Sequence, residues 1–209
     1  NNLNWAMIGE QLTKRDRYSH VERNTKETQI DVKVWLDREG GSKINTGVGF
    51  FDHMLTLFTK HGKFDLTIDA HGDEADNHHA IEDIGILLGK AFYDALGDKA
   101  GINRYAFQFT PMDEALCRTC VDISGRSYLV FDVPLTREFI GDFETEMLEE
   151  FFSAFTSNSK MTLHVASLYG KNNHHIVEGI FKSLGRTLKD ACTIEAGNTE
   201  IPSTKGIIE

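Results

Sequence analysis

The chain has 209 residues, 40% hydrophobic and 26% charged, which is typical of a globular protein that folds without disulfides or other staples. Its formal net charge of −10 disfavours nucleic acid as a partner, although a few local Arg and Lys residues can still bind a phosphorylated small molecule. The apolar runs are short, as at residues 84–88, so we expect neither a membrane span nor a secretory signal.

In chain order, residues 1–17 are expected to form an N-terminal extension, because they match neither half of the repeat described below. The first predicted elements are a strand at 28–36, a helix at 51–60, a strand at 65–70 and a helix at 78–96 that stops at Gly97. After a junction at 101–103, the predicted elements are strands at 116–123 and 128–133, a helix at 144–157, a strand at 161–167 and a helix at 174–192.

The three cysteines are expected to be free thiols in a reducing compartment, which favours a cytoplasmic protein. Cys117 and Cys120 form a C-x-x-C pair within a predicted strand, where odd spacing directs the two side chains to opposite faces. We therefore expect buried structural thiols here and not a redox or zinc site.

The most informative feature is an internal repeat. Residues 57–68 and 154–165 share Phe, Thr, Lys, Leu and a final β-branched residue, 97 positions apart, as with Phe58 and Phe155. Soon afterwards each copy reaches the pattern N-H-H-x-x-E, at residues 77–82 and again at 173–178. The repeat predicts an α+β fold of two duplicated halves, residues 18–100 and 101–209, each a β-sheet packed with helices.

The duplicated pattern predicts metal binding. Imidazole and carboxylate together suit divalent first-row transition metals, and residues three or four apart share a helix face. Glu82 can therefore share a metal with His78 or with His79, whereas the adjacent histidines diverge by about 100° and serve different metals. Two such helices facing each other across a pseudo-two-fold axis would build two metal sites with ligands from both copies. Neither zinc-protease motifs nor a Gly-rich phosphate loop occurs.

Other candidate residues carry a weaker signal on their own. His53 lies near the start of a predicted helix and His164 on a predicted strand, while His20, His61 and His71 have no partner in spacing and are expected near the surface or beside ligands. Arg104 and Arg126 follow Gly-containing turns. The tail at 201–206 offers hydroxyls and an amine, which suit an anionic substrate.

These segments resemble imidazoleglycerol-phosphate dehydratases from about residue 21 to the end of the chain. The matching stretches are residues 23–28, 50–55, 72–83, 101–104, 122–126, 161–164, 173–178 and 202–206. The resemblance implies a fold like domain 2 of ribosomal protein S5, two Mn²⁺ per subunit, and a cubic 24-subunit particle with active sites between subunits.

The resemblance also implies a ligand set, which pairs His78 with Glu82. One ion would be held by His53, His79, His174 and Glu178, and the other by His78, Glu82, His164 and His175. The residues implied to contact the substrate are Glu27, His53, His61, His79, Arg104, Arg126, His174, Ser203, Thr204 and Lys205. Four of them, Arg104, Arg126, Ser203 and Lys205, are implied to hold chiefly its phosphate. The implied catalytic residues are Glu27, at the reacting carbons, and His53, Glu82 and Glu178.

The implied reaction is the dehydration of D-erythro-imidazole glycerol phosphate to imidazole acetol phosphate, a hydro-lyase step of histidine biosynthesis. We hypothesise that the substrate ring bridges the metals as an imidazolate and expels the hydroxyl through a diazafulvene-like intermediate, with Glu27 transferring protons. Two other functions share the histidines: a dinuclear metallohydrolase acting on phosphate esters, and a non-catalytic metal-binding assembly.

Overall fold

Two four-stranded β-sheets of the same topology form the outer layers of the fold, and four helices lie between them. The computed structural model describes residues 16–26, 28–72 and 77–208. The first half contains β1 (Tyr18–Asn24), β2 (Thr28–Trp35), β3 (Lys43–Asn45), α1 (Gly49–Gly62), β4 (Asp65–Gly72) and α2 (Asn77–Leu96). The second half contains β5 (Tyr105–Met112), β6 (Ala115–Asp122), β7 (Tyr128–Asp132), a hairpin of β8 (Phe139–Ile140) and β9 (Phe143–Glu144), α3 (Met147–Ser159), β10 (Thr162–Tyr169) and α4 (Asn173–Cys192).

The two sheets have the same strand order and the same directions. Sheet 1 runs β1-β2-β4-β3 and sheet 2 runs β5-β6-β10-β7; in each, the first two pairings are antiparallel and the last is parallel. Burial alternates along β2 and β6, so each sheet has one face toward the helices and one outer face. The predicted α+β fold of two sheet-and-helix halves is confirmed.

The halves pack reciprocally through their helices. The last helix of each half lies on its own sheet and contacts the first helix of the other half: α2 packs against α3, and α4 against α1. Glycine permits both approaches, because a Cβ at Gly89 or Gly185 would come under 3.0 Å from a carbonyl oxygen of the facing helix. Those carbonyls belong to Phe155 and Phe58, which are 97 positions apart. One continuous apolar core results.

The repeat is also visible in the backbone where the first helix of each half ends. Lys63 and Lys160, 97 positions apart, both adopt the left-handed conformation at the C-cap, with φ of 53° and 52°. The predicted stop at Gly97 is confirmed by its φ of 57°. These matching irregularities indicate that the two halves follow the same local chain path.

Most predicted elements are present with ends shifted by one or two residues, but one boundary was wrong. Glu144 does not begin a helix: it lies in β9, and α3 begins at Met147. The hairpin turns at Gly141, whose φ is 63°, and the Asp142 carboxylate then accepts the backbone N–H groups of Gly49 and Phe50. Asp142 thus connects the hairpin to the start of α1. The sequence reading also missed β1, β3, β5 and the hairpin strands.

The predicted N-terminal extension lies outside the described residues except for Asp16 and Arg17. Arg17 is buried, ion-paired with Asp37 at 2.6 Å, and donates to the carbonyl oxygen of Cys192 at 2.6 Å.

Of the C-x-x-C pair, Cys117 is buried as expected, whereas Cys120 lies on the opposite face and is only half-buried. Among the described residues, no helix is both long and apolar enough to cross a membrane.

Candidate metal centre

The cluster best suited to hold a metal ion lies where the start of α4 meets α1. Asn172 caps α4, and its side-chain oxygen accepts the backbone N–H of His174 at 2.9 Å. One turn later, Glu178 Oε2 lies 3.1 Å from His174 Nε2, the i, i+4 spacing that places both side chains on one helix face. The helix start thus brings two potential ligands together on one face.

His53, from α1, completes this cluster. Its Nε2 lies 3.9 Å from the same Glu178 oxygen, and the ligand atoms of His53, His174 and Glu178 all lie within 4.8 Å of one another. Phe50 packs edge-on against the His174 ring, with centroids 5.2 Å apart. Two imidazole nitrogens and one carboxylate oxygen in this arrangement fit a divalent first-row transition metal.

Lys182 also belongs to this cluster, although the sequence analysis did not predict a role for it. Its Nζ lies 2.6 Å from Glu178 Oε1, so Oε2 is left to face the two histidines. Burial alone would raise the pKa of the Glu178 carboxyl, but Lys182 and His174 outweigh it and hold that pKa below its ordinary value. The Glu178 side chain, only 10% exposed, is therefore held as a carboxylate. The i, i+4 spacing of Glu178 and Lys182 was the available signal.

His61 lies in the last turn of α1, in positively charged surroundings. Burial lowers the pKa of its imidazole, and the neighbouring charges of Lys182, Arg186 and Lys60 lower it further. Lys182, which pairs with Glu178, is thus also one of the cations around His61. Beside His174, a cavity of about 270 Å³ opens between the hairpin and α4, lined by Arg137, Phe139, Ile140, Gly141, Asn172, Asn173 and His174.

The remaining predicted ligands are dispersed within one chain. His79 and Glu82 are exposed on α2. His78 lies 3.4 Å from both Glu144 and Glu146, and His164 is exposed on the outer face of sheet 2. Among the described residues, three of the four ligands predicted for one ion come together, and those predicted for the other do not.

His175, the second histidine of the couplet in α4, contacts the turn between β5 and β6. Its Nδ1 lies 2.7 Å from Glu114 Oε2, and its Nε2 lies 3.6 Å from Asp113 Oδ2. The hydrogen bond with His175, followed by those from the amides of Asn172 and Lys171, lowers the pKa of Glu114 to about 2. Glu114 likewise raises the pKa of His175. The sequence reading did not single out Glu114.

Of the residues predicted to bind the phosphate, Arg104 lies against the C-terminal tail. Its guanidinium pairs with Asp122 at 2.7 Å and donates to the carbonyl oxygen of Pro202 at 2.7 Å. The tail that carries Ser203, Thr204 and Lys205 therefore returns to Arg104. Arg126 is exposed in the turn after β6. Glu27 lies outside the described residues.

The outer faces of the two sheets differ in chemistry. Sheet 2 exposes large apolar side chains around His164, among them Tyr105, Phe107, Phe109 and Tyr128, with Phe107 65% exposed. The outer face of sheet 1 carries a polar cluster, in which His20 is hydrogen-bonded to Asp31. The ligand atoms of these two residues and of Glu22 all lie within 4.8 Å of one another. Exposed aromatic surface of this extent marks an interaction surface. His20 and His71 are exposed, as expected.

A protein-family model described as imidazoleglycerol-phosphate dehydratase matches residues 46–188 of the chain. Curated proteins of that name from Lacticaseibacillus casei and Caldicellulosiruptor bescii are 53% and 54% identical over 193 residues. These alignments cover 92% of the chain and 100% and 98% of the two relatives.

Solved structures give the same result. The crystal structure of imidazoleglycerol-phosphate dehydratase from Staphylococcus aureus is 43% identical, with a TM-score of 0.79, and the match covers 85% of this chain and 99% of that one. The Pyrococcus furiosus crystal structure is 35% identical, with a TM-score of 0.76, covering 90% and 99%.

Proposed function

Because the chain belongs to the imidazoleglycerol-phosphate dehydratase family, we infer that it dehydrates D-erythro-imidazole glycerol phosphate to imidazole acetol phosphate in histidine biosynthesis. The observation that carries this conclusion is the match to curated relatives along their whole length. The reaction class is that of a hydro-lyase, and the substrate is a small phosphorylated imidazole. We place the enzyme in the cytoplasm, where its three thiols would stay reduced.

We propose that the enzyme uses two Mn²⁺ per subunit. His53, His174 and Glu178, with His79, would hold one ion, and His78, Glu82, His164 and His175 the other. The tight cluster of two imidazole nitrogens and a carboxylate supports the first assignment, since this donor set fits such an ion. When bound, the metals supply Lewis acidity and a template for the substrate imidazole.

The chain's own residues position the substrate and move the proton. Arg104 uses three N–H donors on Asp122 and Pro202, and a guanidinium has five, so two remain for an anion. With Arg126, Ser203, Thr204 and Lys205, it is proposed to hold the phosphate. Glu27 is the proposed proton-transfer group at the reacting carbons. His61 would contact the substrate from the last turn of α1.

The separation of the ligands within one chain supports assembly as part of this proposal. His164 lies on the aromatic outer face of sheet 2, away from the cluster at His174, so a second copy would supply the complementary ligands. We propose a homo-oligomer, the cubic 24-mer, with active sites between copies. Because ions bound across an interface stabilise the assembled state, chelation should reduce the particle size measured by light scattering. An unchanged particle size in excess chelator would contradict shared ligands.

Two substitutions separate metal binding from proton transfer. His174→Asn should lower the bound manganese, measured by elemental analysis, because it removes one ligand of the cluster. Glu27→Gln should cut turnover while leaving the manganese content at the wild-type value. His71→Asn, a change at an exposed histidine outside the proposed sites, is the matched control and should alter neither quantity. Full turnover in Glu27→Gln would exclude the proton-transfer role.

A further inference from the structure

Glu114 connects three separate parts of the second half. It stands directly before β6, in the turn that joins β5 to β6. Its Oε2 lies 2.7 Å from His175 Nδ1, while its Oε1 accepts the backbone N–H groups of Asn172 at 2.7 Å and Lys171 at 3.1 Å. Both oxygens of this carboxylate are therefore engaged at the start of α4.

These contacts bear on both histidines of the couplet. The contact with His175 acts directly on the ring. The contact with Asn172 acts through the helix cap, because the Asn172 side chain accepts the backbone N–H of His174 at 2.9 Å. One carboxylate thus supports a ligand proposed for each of the two ions.

The hydrogen bond also selects the ligand atom of His175. A carboxylate only accepts, so the neutral imidazole donates from Nδ1 and keeps its lone pair on Nε2. Metal-binding histidines commonly have such a carboxylate or carbonyl on the second ring nitrogen, which fixes tautomer and orientation. Asp113, from the same turn, lies 3.6 Å from Nε2 and has a 70% exposed side chain, so it competes little for that position.

The repeat gives Glu114 a counterpart in the first half. Asp31 and Arg118 occupy equivalent positions, since they pair with Asp69 and Ala166, which are 97 positions apart. The same offset of 87 between β2 and β6 relates Glu27, directly before β2, to Glu114. Each half therefore has a glutamate in the sequence position directly before its second strand.

We propose that Glu114 is a positioning residue of the metal centre, which orients His175 through Nδ1 and His174 through the Asn172 cap so that both rings present Nε2 to the ions. The proposal rests on the ligands assigned above. The two equivalent glutamates would therefore have different roles. Glu27 would act on the substrate, whereas Glu114 would orient the metal-binding histidines.

Manganese affinity of the assembled full-length protein tests this inference, using Mn²⁺ itself in calorimetric titrations. In Glu114→Gln, an amide donor facing Nδ1 would favour the tautomer with Nε2–H, which has no lone pair there for the ion. We expect Glu114→Gln and Glu114→Ala to weaken Mn²⁺ binding by about 10- to 100-fold, as disturbed outer partners of metal ligands typically do. Asp113→Asn, which removes the same charge from the same turn, should stay within about twofold of wild type.

A purely structural role predicts a different pattern. Glu114→Gln would then lower the melting temperature of the metal-free protein while leaving Mn²⁺ affinity within about twofold of wild type, and this would overturn the proposal. Equal weakening by Asp113→Asn would also overturn it, because the cause would then be the local charge. Absence of Mn²⁺ binding in the wild-type protein would refute the proposed metal centre itself, a result distinguishable before any variant is made.

Discussion

The close approach of α4 to α1 at Gly185 should control both stability and metal binding. An added Cβ at this position would lie under 3.0 Å from the carbonyl oxygen of Phe58 and 2.9 Å from the amide nitrogen of Gly62. A C–H···O contact needs about 3.3–3.6 Å, so Gly185→Ala forces the helices apart by roughly 1 Å. A backbone carbonyl cannot rotate away as a side chain can, so the strain has to be absorbed by this separation.

The magnitude follows from two opposing effects. Overpacking costs about 1–3 kcal/mol. The better helix propensity of Ala returns roughly 0.5–1 kcal/mol. The difference spans about 0–2.5 kcal/mol, and the upper part applies here because the obstructing atom is a backbone carbonyl oxygen. We therefore expect a net loss of about 1–2 kcal/mol in the free energy of unfolding, which lowers the melting temperature of the metal-free protein by roughly 2–8 °C.

The same displacement moves His53 relative to His174 and Glu178. Metal sites tolerate misplacement of only about 0.5 Å, so Mn²⁺ affinity should fall by about tenfold. Val34→Ala is the control, since it removes buried apolar volume from β2, which carries no proposed ligand, without adding an atom between α1 and α4. It should lower the melting temperature similarly with little change in Mn²⁺ affinity. Equal affinity losses in both variants, or an unchanged melting temperature in Gly185→Ala, would refute this reasoning.

Three further predictions concern the rest of the molecule. Arg17→Met leaves the Asp37 carboxylate without its partner and should lower the free energy of unfolding in urea by about 3 kcal/mol. This is the low end for a broken buried ion pair, because Asp37 is partly exposed. A smaller loss in Arg17→Met/Asp37→Leu would show that the unpaired Asp37 charge causes the effect. The pKa of Glu114 is depressed in the folded protein, so the stability that its carboxylate contributes is present above about pH 4.5 and is lost as the pH falls towards about 2. The melting temperatures of wild type and Glu114→Gln should therefore differ at pH 6 and converge on acidification. A difference that stays constant with pH would contradict a contribution from the Glu114 carboxylate. In metal-stripped, dissociated protein, iodoacetamide should label Cys120 alone, because burial raises the pKa of the Cys117 and Cys192 thiols to about 11 and about 12. Labelling of either buried thiol, detected by peptide mass spectrometry, would count against the packing.

The sequence predicted the duplicated fold well because both copies keep the features that determine local structure. The apolar periodicity of α2 and α4 and the repeated N-H-H-x-x-E pattern survive in each half. β5 escaped prediction for a physical reason: its outer face carries Tyr105, Phe107 and Phe109, whereas its inward face carries Ala106, Gln108 and Thr110. The exposed side is therefore the more apolar one, which inverts the alternation expected of a strand that packs its apolar side on the core.

The candidate site could be predicted only as far as local spacing allows. The i, i+4 relation of His174 and Glu178 is a property of one helix, and it is present in the structure. The approach of His53 depends on a glycine more than 100 positions away in the chain, and the contact of Glu114 with His175 joins a turn to a helix start. Such contacts arise from tertiary packing, so the sequence pattern alone does not indicate them.

The most direct test of metal-dependent dehydration is the activity of metal-stripped protein on imidazole glycerol phosphate, with and without added Mn²⁺. We expect imidazole acetol phosphate to form only when manganese is present, and no inorganic phosphate to be released. Product formation that is equally fast in the stripped protein would contradict the metal requirement. Folded protein that yields no product with manganese or any other divalent metal would contradict the proposed reaction itself.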